Sequence, residues 1–212
     1  MRILLVANKT YRGLPDSIWW YFAEPMAKLG HEVYFFDTVA ENDDGDFNTI
    51  LEGFKPDLVF CVMTGDRNIT PNEPWEELLK ETESGRTKTF NWFCDDTWRF
   101  DNFSSKACSH FTVCSTPERS YMEKYKAIGY ENIILANWHA NSEWFPEVDF
   151  KDKQFYASFI GSPNASRQQF FDSAEVEIRY FHGLSQKQLF EAFSSSKISV
   201  NLSVNNNDPD KK

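Results

Sequence analysis

The sequence predicts an α/β protein with a doubly wound parallel sheet, followed by a second, partial unit of the same kind. Three observations predict it. Short apolar runs alternate with stretches of helical length and pattern. The apolar runs are nearly continuous, as in strands covered on both faces of a parallel sheet. The alternation breaks at a polar, charged stretch, 141–153 (NSEWFPEVDFKDK), and then restarts. The expected organisation is a first Rossmann-like domain over 1–140, a linker over 141–153 and a partial second domain over 154–212. Repeated strand–helix units imply right-handed crossovers.

The first run, RILLVAN (2–8), reads as a buried strand. SIWWYFAEPMAKL (17–29) reads as a helix capped by Asp16 or Ser17 and stopped at Gly30. Pro25 lacks an N–H and is expected to kink or shorten it. HEVYFFDT (31–38) is the next strand, 40–46 an acidic loop, and FNTILEGF (47–54) a short helix. KPDLVFCVMT (55–64) is a strand entered through Pro56, and 65–74 a long loop. PWEELLKETES (74–84) is a helix with Pro in its first turn. TKTFNWFCDD (87–96) and HFTVCS (110–115) are strands; TPERSYMEKYKAIG (116–129) is a capped helix, and NIILAN (132–137) the last strand of this half. The second half reads as strands at 154–162, 175–183 and 197–204 with helices at 165–174 and 185–196. Three strands leave open edges, so this unit is expected to continue beyond the polar tail NNNDPDKK.

The chain is acidic, with a net charge of -10, which argues against a nucleic-acid footprint or an anionic-membrane partner. Aromatic residues make up 17% of it, which suits thick cores and sites that stack rings. The four cysteines, Cys61, Cys94, Cys108 and Cys114, form no CxxC pair, so no zinc site is expected and they read mainly as core thiols. There is no apolar run long enough for a membrane span and no long apolar segment of a signal peptide at the start, so a cytoplasmic protein is expected.

Ligands of parallel α/β sheets bind outside the carboxyl ends of the strands. That rule gives a shortlist: Asn8, Lys9, Tyr11 and Arg12 after the first strand, Thr64, Gly65, Asp66 and Arg67 after the third, Asp95, Asp96, Thr97 and Trp98 after the fourth, and Asn137, Trp138 and His139 after the last. The run FNWFCDDTWRF (90–100) is the most suggestive, because an aromatic strand ends in two carboxylates. Asp95 and Asp96 are expected to face a cleft, although an Asp pair at a strand end equally suits capping of the next helix. Trp98 and Phe100 suit a core as well, and His139 a structural hydrogen bond. In the second half, GSPNASR (161–167) links a strand to a helix, where exposed N–H groups and Arg167 suit an anion; an ordinary turn has the same look. His182 and Gly183 end the next strand, where they suit either a nucleoside or a plain turn.

The order of RILLVAN, WFCDDTWRF, SHFTVCSTPE, LANWHANSEWFPE, SFIGSPNASR, YFHG and SSSKISVNLSV resembles the two-domain GT-B glycosyltransferases, in particular the CgeB-like, group 1-type branch. The resemblance implies a nucleotide-sugar donor used as substrate, no cofactor and no structural metal, with transfer to an acceptor held by the first domain. It places Gly161, Ser162 and Arg167 at the donor diphosphate, His182 and Gly183 near the nucleoside, and Asp95, Asp96 and His139 on the acceptor side. Asp95 or Asp96 would then orient or deprotonate the acceptor hydroxyl, with Trp98 stacking on a ring. One departure is large. The basic, glutamate-bearing segment that follows the last strand in this family has no counterpart before Lys212, which implies a missing C-terminal half or a partner chain. A non-catalytic glycan- or protein-binding module is the alternative. A metal-dependent transferase using Asp95–Asp96 is weaker, since two carboxylates alone seldom hold a divalent ion. A nicotinamide enzyme is disfavoured by the missing glycine fingerprint.

Overall fold

Six apolar runs of the first half pair side by side into one sheet. They are β1 (Arg2–Ala7), β2 (Glu32–Asp37), β3 (Leu58–Cys61), β4 (Lys88–Trp92), β5 (Val113–Thr116) and β6 (Ile133–Leu135). Their order across the sheet is β2-β1-β3-β4-β5-β6, and every pair is parallel. The α/β class with a parallel, Rossmann-like sheet is therefore as expected from the alternation. The computed structural model describes residues 1–11, 14–15, 17–39, 45–162 and 165–202. The chain divides into two units, Met1–Ala140 and Asn141–Lys212.

The period of two in each strand sorts side chains onto two faces. Leu5, Ala7, Phe35, Val62 and Trp92 face one side, where Ile18, Phe22 and Ala23 of the first helical segment cover them. Leu4, Val6, Phe36, Val59, Cys61 and Cys114 face the other. There they meet Phe47 and Leu51 of α2 (Phe47–Phe54), Leu78 of α3 (Trp75–Ser84) and Tyr125 of α4 (Arg119–Ala127). Leu4, Leu5, Val6 and Val59 are completely buried, and each such side chain stabilises the fold by about 1.5–3 kcal/mol relative to exposure.

The first helical segment differs from a uniform helix in a way its sequence explains. Trp19–Ala23 is a π-helix, and Glu24–Lys28 (α1) continues it as α-helix, with Pro25 in its first turn. Pro25 has no N–H to give to the carbonyl of Tyr21, four residues back, and the widened π segment covers this point. Gly30, at φ 83°, ends the helix as expected. The strands β3 and β4 stop at Cys61 and Trp92, short of the runs at 55–64 and 87–96, because their last residues leave the sheet to build loops at its carboxyl edge. Residues 97–109, given no element by the sequence pattern, together with Asp96 and His110, expected at strand ends, wind through a short helix (Asp96–Arg99), a π-helix (Phe100–Ser104) and two further turns. This stretch buries Phe100, Ala107 and Cys108 in the second core.

One expectation fails in that core. Asp96 does not face a cleft: it is 0% exposed, and the Tyr125 hydroxyl donates to both of its oxygens, at 3.1 and 3.0 Å. The reason is the turn at Asp95 (φ −146°, ψ 56°), which starts the helix and directs Asp96 beneath it. Burial, together with the neighbouring carboxylate, raises the Tyr125 pKa, so the phenol keeps its proton and stays a donor.

In the second unit, β7 (Phe155–Ile160) is flanked by β8 (Ile178–Phe181) and β9 (Ser196–Ser199), again all parallel. The helices are α5 (Ala165–Asp172) and α6 (Gln186–Ser194). Ser185 and Gln188 form a reciprocal capping box at the start of α6. Residues 141–153 contain two 3-10 turns, and the Phe145 ring packs on Phe190 of α6 at 4.9 Å. Lys153 Nζ donates to the carbonyls of Ser194 (2.7 Å) and Ser196 (3.2 Å), closing the end of α6. Among the described residues, no helix is long and apolar enough to cross a membrane.

The Asp96–Tyr125 pair makes a stability prediction. Tyr125→Phe leaves a buried carboxylate without the hydroxyl and should cost about 1–3 kcal/mol. Urea unfolding of the wild type and the variant measures it; equal midpoints would show that the pair contributes nothing.

Candidate functional site

The winding of the first sheet reverses at β1: the chain passes to β2 on one side and returns to β3 on the other. A crevice is expected outside the carboxyl ends at such a point. A pocket of about 640 Å³ lies there, within the first unit. Asn8 enters it from the end of β1, and Thr64, Asp66 and Ile69 from the loop after β3. Trp92, Cys94 and Asp95 come from the end of β4, with Trp98 and Arg99 from the turn that follows. Trp138 and His139 close it from the end of β6, and Tyr21 and Phe22 from the π segment, in contact with His139, line it with Ser17 and Ile18.

Backbone groups freed at the strand ends are tied down by side chains. The carboxylate of Asp37, buried at the end of β2, accepts from the N–H groups of Lys9 (3.0 Å) and Val39 (3.1 Å) and so fixes the segment after Asn8. Glu73 does the same for the loop after β3. Its carboxylate accepts from Thr64 N–H (2.5 Å), Gly65 N–H (2.9 Å) and Trp75 Nε1–H (3.0 Å). Gly65 has no substitute here, because its φ is +67° and a Cβ would lie 2.5 Å from the Phe103 ring. Arg99 donates to the Thr64 carbonyl, and its guanidinium lies over the rings of Phe103 (4.3 Å) and Trp98 (5.4 Å).

The β6 segment is pinned twice. Trp138 Nε1–H donates to the Cys94 carbonyl at 3.2 Å, and its ring stands edge-on to Trp92 at 4.7 Å. His139 Nε2 meets the Tyr21 carbonyl at 2.9 Å. A carbonyl only accepts, so Nε2 carries the proton, and the lone pair of the neutral ring is on Nδ1. This is also the carbonyl to which Pro25, four residues on, has no N–H to donate.

The site's titrating groups have different roles. Burial, reinforced by the Asp95 charge, pushes the Cys94 thiol up to about 12, so it is no thiolate nucleophile at neutral pH. Asp95 makes no side-chain capping bond; the Cys94 thiol lies 3.7 Å from its Oδ2. Burial raises the Glu73 pKa against the opposing pull of its hydrogen bonds.

Of the shortlisted residues, Asn8, Thr64, Asp66, Asp95, Trp98, Trp138 and His139 meet around this pocket. Arg67 does not: it lies in a separate shallow depression with Trp75 and Glu77. The turn in which the Asp66 carbonyl accepts from the Ile69 and Thr70 N–H groups keeps Asp66 and Ile69 on the pocket side and carries Arg67 off it. Because Asp96 is under Tyr125 while Asp95 lines the pocket, the two adjacent carboxylates diverge and do not form a metal pair. Arg12 and the Tyr11 side chain lie outside the described residues, as do Pro163, Asn164 and the tail from 203 on. Tyr21, Phe22, Cys94 and Arg99 were missed; the cluster WWYF ahead of Pro25 was the available signal for the first two.

In the second unit, Gly161 N–H donates to the Phe181 carbonyl at 3.0 Å, which sets the 161–162 turn beside the strand leading to His182 and Gly183. A Cβ on Gly161 would lie 2.9 Å from the Phe159 ring. Arg167 donates to the Ser162 carbonyl (2.6 Å) and the Leu202 carbonyl (3.3 Å) and lies over Phe159 at 5.0 Å. The His182 ring is 5.7 Å from that of Tyr180, and Gly183 has φ 63°. No protein-family model matches the chain, and no curated protein matches it.

Glu73 gives a pH signature. Its folded pKa lies above the reference value of 4.5, so its contribution to stability is full below about that pH and is lost as pH rises through the folded pKa. Glu73→Gln removes this dependence. The stability of wild type minus that of the variant should therefore fall as pH rises above the reference value of 4.5. Denaturant melts from that value upward test it, and a flat difference would contradict the assignment.

Proposed function

We propose that this chain acts as a glycosyltransferase, with a hydroxyl-bearing acceptor in the first-unit pocket and a nucleotide sugar, a substrate and not a cofactor, held by the second unit. The observation that carries the reading is Asp95: a carboxylate at a strand end, beside an aromatic-walled pocket, with no capping duty. Asp95 takes the proton of the acceptor hydroxyl as its oxygen attacks the anomeric carbon, and the bond to the nucleoside diphosphate breaks. Electrostatic stabilisation of the departing diphosphate falls to the second unit. His139 presents the Nδ1 lone pair as the pocket's second proton acceptor, held in place through Nε2. A localisation in the cytoplasm and metal-independent transfer belong to the same proposal.

A second reading, a glycan- or protein-binding module without transfer, is favoured by one observation. Arg167, the expected diphosphate ligand, donates to the carbonyls of Ser162 and Leu202.

The test is release of nucleoside diphosphate from a panel of nucleotide sugars, with and without hydroxyl acceptors. Acceptor-dependent release is expected, and Asp95→Asn should lower it by about 100-fold or more. Full turnover in Asp95→Asn would remove Asp95 from the role. No release with any donor would put the binding module in place of the transferase.

A further inference from the structure

The pocket's composition constrains what fits it. Trp138 has its one polar atom bonded to the Cys94 carbonyl and its edge fixed on Trp92, yet it remains 59% exposed. Trp98, on another wall, is 63% exposed. Trp138, open to solvent but held in place, is a ready-made stacking surface, since little freedom is left to lose on binding; the Trp98 ring has the Arg99 guanidinium over it at 5.4 Å. Two carboxylates, Asp66 and Asp95, line the same space and can only accept hydrogen bonds when ionised; Asp66 Oδ1 already accepts from the Asn68 N–H at 3.0 Å, so Asp66 turns its second oxygen to this use. They call for a ligand with several donors. A phosphate or carboxylate ligand would meet both of these charges, while Arg99 is already anchored on the Thr64 carbonyl. A compact cation would meet the guanidinium of Arg99 in the wall. A phenolic ring would stack but brings a single hydroxyl for two acceptors.

We infer that the pocket takes a neutral saccharide: a hexopyranose whose C–H face lies on Trp138 or Trp98 and whose hydroxyls donate to Asp95 and Asp66. The volume of about 640 Å³ is in the range of small-molecule sites. This rests on the transferase reading only for the word acceptor; the saccharide class comes from the pocket's own chemistry. If transfer takes place, the acceptor is itself a sugar, and the product is a glycosidic link between two sugars.

The experiment is a titration of the whole chain with neutral methyl hexopyranosides (gluco, galacto and manno), followed by tryptophan fluorescence. Choline, phenol and inorganic phosphate serve as competing classes. A saturable change with at least one methyl hexopyranoside is expected, with none from the other three. Trp138→Ala should weaken binding by about tenfold or more through loss of the stacking face, and Trp138→Phe should recover part of it. Trp98→Ala, at a more exposed position, gives the same reading if the first variant folds poorly. Asp95→Asn should weaken binding, and Arg67→Ala should leave it unchanged. A response to phenol, choline or phosphate in place of the sugars overturns the inference, as does sugar binding that is indifferent to Trp98, Trp138 and Asp95. Running the nucleoside-diphosphate assay on the same samples separates the two claims. Sugar binding without release keeps the saccharide and removes the transferase; release with phenol as acceptor and with no sugar does the reverse.

Discussion

The position of β1 is the constraint on which the rest depends. It lies between β2 and β3, is buried on both faces, and marks where the chain reverses its direction across the sheet. Because all neighbours are parallel, the carboxyl ends of β1, β3, β4 and β6 emerge at one edge, and side chains far apart in sequence meet there. The apolar runs that bury β1 thus also determine where polar groups can gather. The core and the pocket are two results of one topology.

Backbone groups and side chains around the pocket answer each other. Strand ends and a π-helix leave N–H and C=O groups without their regular partners, and such groups are costly if left unpaired. Here Glu73 takes the Thr64 and Gly65 N–H groups, Arg99 the Thr64 carbonyl, Trp138 the Cys94 carbonyl and His139 the Tyr21 carbonyl. Three of those four side chains line the pocket. Their orientation is therefore set by backbone satisfaction before any ligand arrives, which is the preorganisation that stacking and proton transfer need.

The strands and the edge on which a site would lie were legible in the sequence, because hydrophobic period and the strand-end rule depend on local pattern alone. Asn8, Thr64, Asp66, Asp95, Trp98, Trp138 and His139 followed from that rule. Asp96 and Arg67 did not, because the direction of a side chain just past a strand depends on one turn. A single backbone rotation at Asp95 separates a pocket carboxylate from a core one. The turn on the Asp66 carbonyl does the same for Arg67. The π segment was half legible: Pro25 announced a disturbance, but not that the Tyr21 carbonyl would be met by a histidine 118 positions away. Arg167 shows the same limit, since its type suits an anion while its contacts are carbonyls.

The most direct test of the account is a crystal structure of the chain grown with a methyl hexopyranoside. The account predicts a sugar ring stacked on Trp138 or Trp98, with a hydroxyl within hydrogen-bond distance of Asp95 and with Asp96 still beneath Tyr125. A sugar bound elsewhere with this pocket empty, or one held by Asp96 in place of Asp95, would contradict it.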